Sequence, residues 1–125
     1  MSAPQPKHTP PLPHVPGKHI LLDLWADAEL DDASHIETTV RAAIDACGAT
    51  LLNLYVHRFP GNGGVTALAA LAESHMSFHS WPEFGYAAID IYTCGDTPIE
   101  KAVEVFQKSF RGGKIKTRSI DRHVY

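Results

Sequence analysis

Between Leu71 and Asp96 the chain reads LAESHMSFHSWPEFGYAAIDIYTCGD, and this stretch concentrates side chains that make and break bonds. Glu73-Ser74-His75 is followed by His79, Glu83 and Cys94, the last being one of only two cysteines. A hydroxyl, imidazoles, carboxylates and a thiol so close together point to covalent chemistry. The residue types alone leave its form open. A serine hydrolase would need a strand-to-helix elbow of the Gly-x-Ser-x-Gly kind, and Ser74 has neither the glycines nor a following helix. A metal site could draw on His75, His79 and Cys94, but ligands four apart suit a helix, and no Cys-x-x-Cys pair accompanies them. A single histidine here would read as a half-buried structural imidazole. Four reactive types expected on one face fit that reading less well.

The elements that must position these groups are legible from periodicity. Lys18–Ala26 alternates as a strand, with Ile20, Leu22, Leu24 and Ala26 on one face and His19, Leu21, Asp23 and Trp25 on the other. Ser34 and Glu37 have the spacing of a capping box, followed by an apolar helical stripe of Ile36, Val40, Ala43, Ile44 and Cys47 that Gly48 ends. Cys47 on that stripe reads as a buried small hydrophobe.

Thr50–Phe59 alternates again, with Leu52, Leu54 and Val56 opposite Asn53, Tyr55, His57 and Phe59. Pro60-Gly61-Asn62-Gly63-Gly64 makes a loop, without the lysine that a phosphate-binding loop requires. Val65–Ala72, His75–Ser80 and Tyr86–Cys94 read as strands, the last two joined by a turn at Trp81–Gly85. Thr97-Pro98-Ile99-Glu100 is a helix start, with Thr97 as the cap and proline at the first position. Its stripe is Ile99, Ala102, Val103, Phe106 and Phe110; Lys114–Ile120 then forms a charged edge strand.

The expected architecture is α+β, a two-layer sandwich with a mainly antiparallel sheet and helices on one face. The other face mixes aromatic with ionisable groups, among them Asp23, Trp25, Tyr55, His57, His75, His79, Tyr86, Asp90 and Tyr92. Such a mixture suits a ligand pocket or a subunit interface.

Composition narrows the function classes. The chain has 125 residues, 44% hydrophobic and 20% charged, as one small globular domain would. A net charge of −3 gives no reason to expect nucleic acid or an anionic membrane as partner. Seven of the eleven basic residues lie from Lys101 onward, which reads as a solvated helix and edge strand. Residues 1–17 hold six of the nine prolines and little that could pack, so a disordered tail is expected before a domain at 18–125. No secretory or membrane-spanning pattern is visible, making the cytoplasm the default.

The motifs Ala72-Glu73-Ser74-His75, His79-Ser80-Trp81-Pro82-Glu83-Phe84-Gly85-Tyr86-Ala87-Ala88-Ile89-Asp90 and Thr93-Cys94-Gly95, with His57-Arg58-Phe59 and Gly64-Val65-Thr66 upstream, closely resemble the bacterial and archaeal class of S-adenosylmethionine decarboxylase. The similarity runs from about residue 18 to about residue 120, far longer than a chance motif.

The resemblance implies a proenzyme cleaved between Glu73 and Ser74 into chains 1–73 and 74–125. Ser74 Oγ would attack the Glu73 carbonyl carbon, replacing the amide by an ester. Loss of the Ser74 α-proton would expel the Glu73 carboxylate, and hydrolysis of the resulting dehydroalanine would leave a pyruvoyl group. By the same resemblance His79 assists the elimination and Thr66, where serine is commoner, assists the attack. The pyruvoyl would be the electron sink for decarboxylation, with Cys94 returning the proton to the substrate carbon. Phe59 aligns with an aromatic that stacks adenine and Glu83 with a carboxylate suited to ribose hydroxyls. A homodimer with paired sheets and sites at the interface is implied as well.

Departures at Ala67–Leu71, and a Phe59–Gly63 loop one residue longer than the shortest versions, leave substrate choice open. Two rivals stand beside the leading reading: the same mechanism on ornithine or arginine, and an inactive paralogue that regulates a partner. Retention of Ser74, His79 and Cys94 speaks against the second.

Overall fold

Alternation of apolar and polar side chains produces six strands, and 3.6-residue periodicity two helices, in the order expected. The computed structural model describes residues 17–72, 74–94 and 96–122. Along the chain run β1 (Gly17–Trp25), α1 (Ala33–Ala46), β2 (Leu51–Arg58), β3 (Val65–Leu71), β4 (Ser74–Trp81), a 3-10 turn (Pro82–Phe84), β5 (Tyr86–Thr93), α2 (Ile99–Ser109) and β6 (Lys114–Arg122). The strands form one sheet ordered β2-β3-β4-β5-β1-β6, with every neighbouring pair antiparallel. This is the α+β two-layer sandwich, with β6 on an edge as its charge predicts.

Both helices lie on one face. α1 packs over β2 and β3, α2 against β1 and β6, and the two pack on each other. The core between the layers is built from Ile20, Leu22 and Leu24 of β1, Met76 and Phe78 of β4, Ile89 and Ile91 of β5, and the helix stripes. Phe78 stacks on Phe106 and Phe110, with ring centroids 6.1 and 6.0 Å apart. That contact fixes β4 from below, so that its odd-numbered residues must face away from the helices.

Several local expectations are corrected. Asp32, not Ser34, caps α1: its carboxylate accepts from the His35 backbone N–H at 3.0 Å, leaving Ser34 inside the first turn. α2 has no side-chain cap, because Pro98 precedes the helix in a non-helical conformation and Thr97 stands outside it. Leu52 is 66% exposed, since a register shift between Leu51 and Asn53 reverses the alternation and turns Leu51 inward instead. Gly17 belongs to β1 rather than to the tail, and a Cβ there would lie 2.6 Å from the Thr93 carbonyl oxygen. The expected disorder of the residues before Gly17 lies outside the described residues.

Among the described residues, the sheet's other face carries no helix, and its side chains form rows across the strands. One row runs His57, Thr66, His79, Ala88, Asp23, Lys116; the next runs Tyr55, Leu68, Ser77, Asp90, Leu21, Arg118. Trp25, Tyr55, Phe59, Leu68, Trp81 and Ile120 remain exposed there or at its rim.

Candidate active site

Thr66 and His79 are direct cross-strand partners on β3 and β4, and Thr66 Oγ1 lies 3.1 Å from His79 Nδ1. With Nδ1 as acceptor, the hydroxyl donates to a neutral imidazole, the arrangement that raises a hydroxyl's basicity. Both side chains are half-buried on the open face. The next residue along β4, Ser80, points the other way and is buried; its hydroxyl donates to the Leu30 carbonyl at 2.6 Å and accepts from the Val65 N–H at 3.0 Å. Ser80 thus ties the start of β3 to β4 one residue from the Thr66–His79 pair.

A cleft of about 560 Å³ opens above this pair, lined by Phe59, Pro60, Gly61, Asn62, Gly64, Thr66, His79, Ser80 and Trp81. Phe59 is 48% exposed, and its ring meets His57 edge-to-face at 4.6 Å. The loop after β2 is closed by Phe59 N–H to the Gly64 carbonyl at 2.8 Å and Gly63 N–H to the Phe59 carbonyl at 3.0 Å. Gly64 presses on β4 so closely that a Cβ would sit 2.7 Å from the Ser80 carbonyl oxygen. Glu83, on the 3-10 turn, reaches this loop: Asn62 Nδ2 donates to both its carboxylate oxygens, at 2.9 and 3.2 Å.

Asn62 was not identified from sequence as a site residue; the glycines around it marked only a loop. Trp81 lines the cleft and stacks on Tyr86 at 5.7 Å. Tyr86 donates to Asp23 at 2.5 Å, a hydrogen bond that pushes the phenol up to about 12.

Ser74 and Cys94 lie at the opposite end of the sheet. Ser74 opens β4 opposite Leu71, and the pairing of His75 with Tyr92 puts the start of β4 beside the end of β5, where Cys94 follows. Five residues separate Ser74 from His79, about 17 Å along an extended strand. Alternation also gives them opposite faces, Ser74 sharing the helix side with Met76 and Phe78. The convergence of serine, histidine and thiol on one face is therefore corrected: one protomer holds two clusters. Cys94 is exposed, and the Ser74 hydroxyl donates to the Ala72 carbonyl at 3.4 Å. Glu73, the other half of the expected cleavage bond, lies outside the described residues. His75 packs with Tyr92 and His19 at centroid distances of 5.7 and 5.8 Å. Cys47 is buried in the core, which raises its thiol pKa, in keeping with a packing role.

Among the described residues no helix is long and apolar enough to cross a membrane, and no group of histidine, cysteine and carboxylate side chains has the geometry to hold a metal.

Residues 18–123 match the family model described as S-adenosylmethionine decarboxylase. An S-adenosylmethionine decarboxylase proenzyme of Parasynechococcus marenigrum (strain WH8102) is 49% identical over 111 residues, covering 86% of each chain. One from Methanococcus maripaludis (strain C7 / ATCC BAA-1331) is 45% identical over 112 residues, covering 86% of this chain and 90% of that one. The crystal structure of the adenosylmethionine decarboxylase from Aquifex aeolicus VF5 superposes with a TM-score of 0.75 at 28% identity, covering 90% of this chain and 94% of the other. With the match spanning nearly the whole described fold, the chain belongs to the S-adenosylmethionine decarboxylase family.

Proposed function

We propose that the chain is a self-cleaving proenzyme that converts Ser74 to a pyruvoyl group and decarboxylates S-adenosylmethionine, the step that prepares aminopropyl groups for polyamine synthesis. The observation that carries this reading is the Thr66–His79 hydrogen bond. The two residues assigned to processing by resemblance are brought to 3.1 Å by strand register, although thirteen residues separate them in sequence. At the Ser74 end, the hydroxyl donates to the Ala72 carbonyl, one residue ahead of the Glu73 carbonyl it would attack. When formed, the pyruvoyl group supplies an electrophilic carbonyl and an electron sink. Cys94, which follows the β5 end that pairs with the start of β4, would deliver the proton.

A separation of about 17 Å along the strand makes a second protomer part of the reading. An antiparallel pairing of open faces would bring the Ser74–Cys94 end of one chain over the Thr66–His79 end of its partner. Exposed Trp25, Tyr55, Leu68 and Ile120 on that face supply the apolar surface such an interface needs. Cleavage releases residue 74 from the hairpin, and a chain end is free to turn out of the helix side. The cleft beside Phe59 is apolar enough for a purine, which favours a nucleoside substrate over ornithine or arginine. The reading goes with a cytoplasmic enzyme.

Intact-mass spectrometry tests processing: two masses split at Glu73/Ser74, with the C-terminal fragment lacking a terminal amine, are expected. A persistent full-length mass in fresh and incubated protein would overturn the proposal. Co-expression of Ser74→Ala with His79→Ala chains tests the shared site. Mixed dimers would regain carbon dioxide release that neither variant shows alone, and no regain would remove the partner from the site.

A further inference from the structure

Asn62 bridges the loop after β2 and the 3-10 turn before β5. Its Oδ1 accepts from the Gly64 N–H at 2.8 Å, and its Nδ2 donates to both Glu83 oxygens. Only this orientation of the amide satisfies both partners, because the flipped one would set its oxygen against a carboxylate. One side chain therefore fixes the distance between the loop that starts at Phe59 and the turn that carries Glu83. A carboxylate has about four acceptor sites, so after the two bonds from Asn62 it retains capacity for two hydroxyl donors.

We infer that Asn62 is a positioning residue that holds Glu83 at the spacing from Phe59 which a ribose diol and its attached purine require. The inference rests on the S-adenosylmethionine reading and goes beyond it by assigning nucleoside selectivity to the bridge between the loops. Asn62 need not touch the substrate; it acts through Glu83.

Asn62→Asp isolates this role. The aspartate keeps the oxygen that accepts from Gly64, and so the turn, but loses the donor and sets a like charge against Glu83. KM for S-adenosylmethionine should rise about tenfold, with kcat and the extent of self-cleavage within about twofold of wild type. Preference over a 2′-deoxy analogue of the substrate should fall by a similar factor. In a Glu83→Gln background the same change should add less than about twofold, since the partner it works through has lost its charge. Asn62→Ala should repeat the KM effect without the added repulsion.

An unchanged KM in Asn62→Asp, with a raised KM in Glu83→Gln, would overturn this inference alone. Equal losses on both substrates with a lowered melting temperature would overturn it too, as the mark of a merely structural loop. Wild-type protein that ignores the ribose hydroxyls, or fails to decarboxylate S-adenosylmethionine, would overturn the underlying reading and this one with it.

Discussion

Cys94 and His79 occupy different ends of the sheet, and substitution should separate their duties. Cys94→Ala is expected to self-cleave normally yet lose about 10²–10⁴-fold in decarboxylation, the usual scale for a removed proton donor. Mass spectrometry and carbon dioxide release read the two steps independently, and unchanged turnover would take Cys94 out of the mechanism. Tyr86 offers a residue-scale test of pH dependence. Its folded pKa of about 12 exceeds the ordinary phenol value of about 10, so its bond to Asp23 contributes fully below pH 10. That contribution is lost as pH rises through about 12. The stability gap between wild type and Tyr86→Phe in urea melts should therefore hold steady through neutral pH and close between pH 10 and 12. Sequence named Ser74, His79, Cys94, Thr66, Phe59 and Glu83 because their motifs are contiguous runs. It could not name Asn62, whose meaning depends on a carboxylate 21 residues away brought near by two turns.

At the scale of elements, the caps give the cleanest comparison. Asp32→Ala should cost about 1 kcal/mol, while Ser34→Ala should be near neutral, since only Asp32 accepts from the first turn of α1. Ser80→Ala should cost about 1–3 kcal/mol by stranding the Val65 N–H and Leu30 carbonyl in a buried position. It should also slow self-cleavage, because the ends of β3 and β4 that carry Thr66 and His79 lose their tie. Element existence and order were legible because each strand alternates and each helix has a stripe. Leu52 and the start of α2 were misread for a common reason. A bulge adds one residue without any sequence mark, and a proline reads the same just before a helix as just inside it. The two-cluster layout was likewise illegible, since sequence proximity of Ser74 and His79 conceals the length of an extended strand.

At the scale of the whole molecule, the proposed pairing of protomers rests on the sheet face opposite the helices. Leu68→Glu puts a charge midway along β3 on that face, where Leu68 sits between Tyr55 and Ser77. The variant should elute as a folded monomer by size-exclusion chromatography and remain unprocessed. A processed monomer would show that one protomer suffices. Strand order has a related outcome: β1 precedes Ser74 in the chain yet lies between β5 and β6, which follow it.

That interleaving changes what unfolding means once the backbone is cut. The intact chain refolds as one molecule, with its two halves tethered at high effective concentration. The severed form must instead find its other half by diffusion, so its recovery from denaturant becomes second-order and fades on dilution. Maturation thereby exchanges a fold rebuilt from a single chain for a catalyst that, once melted, is rebuilt more readily by new synthesis than by repair.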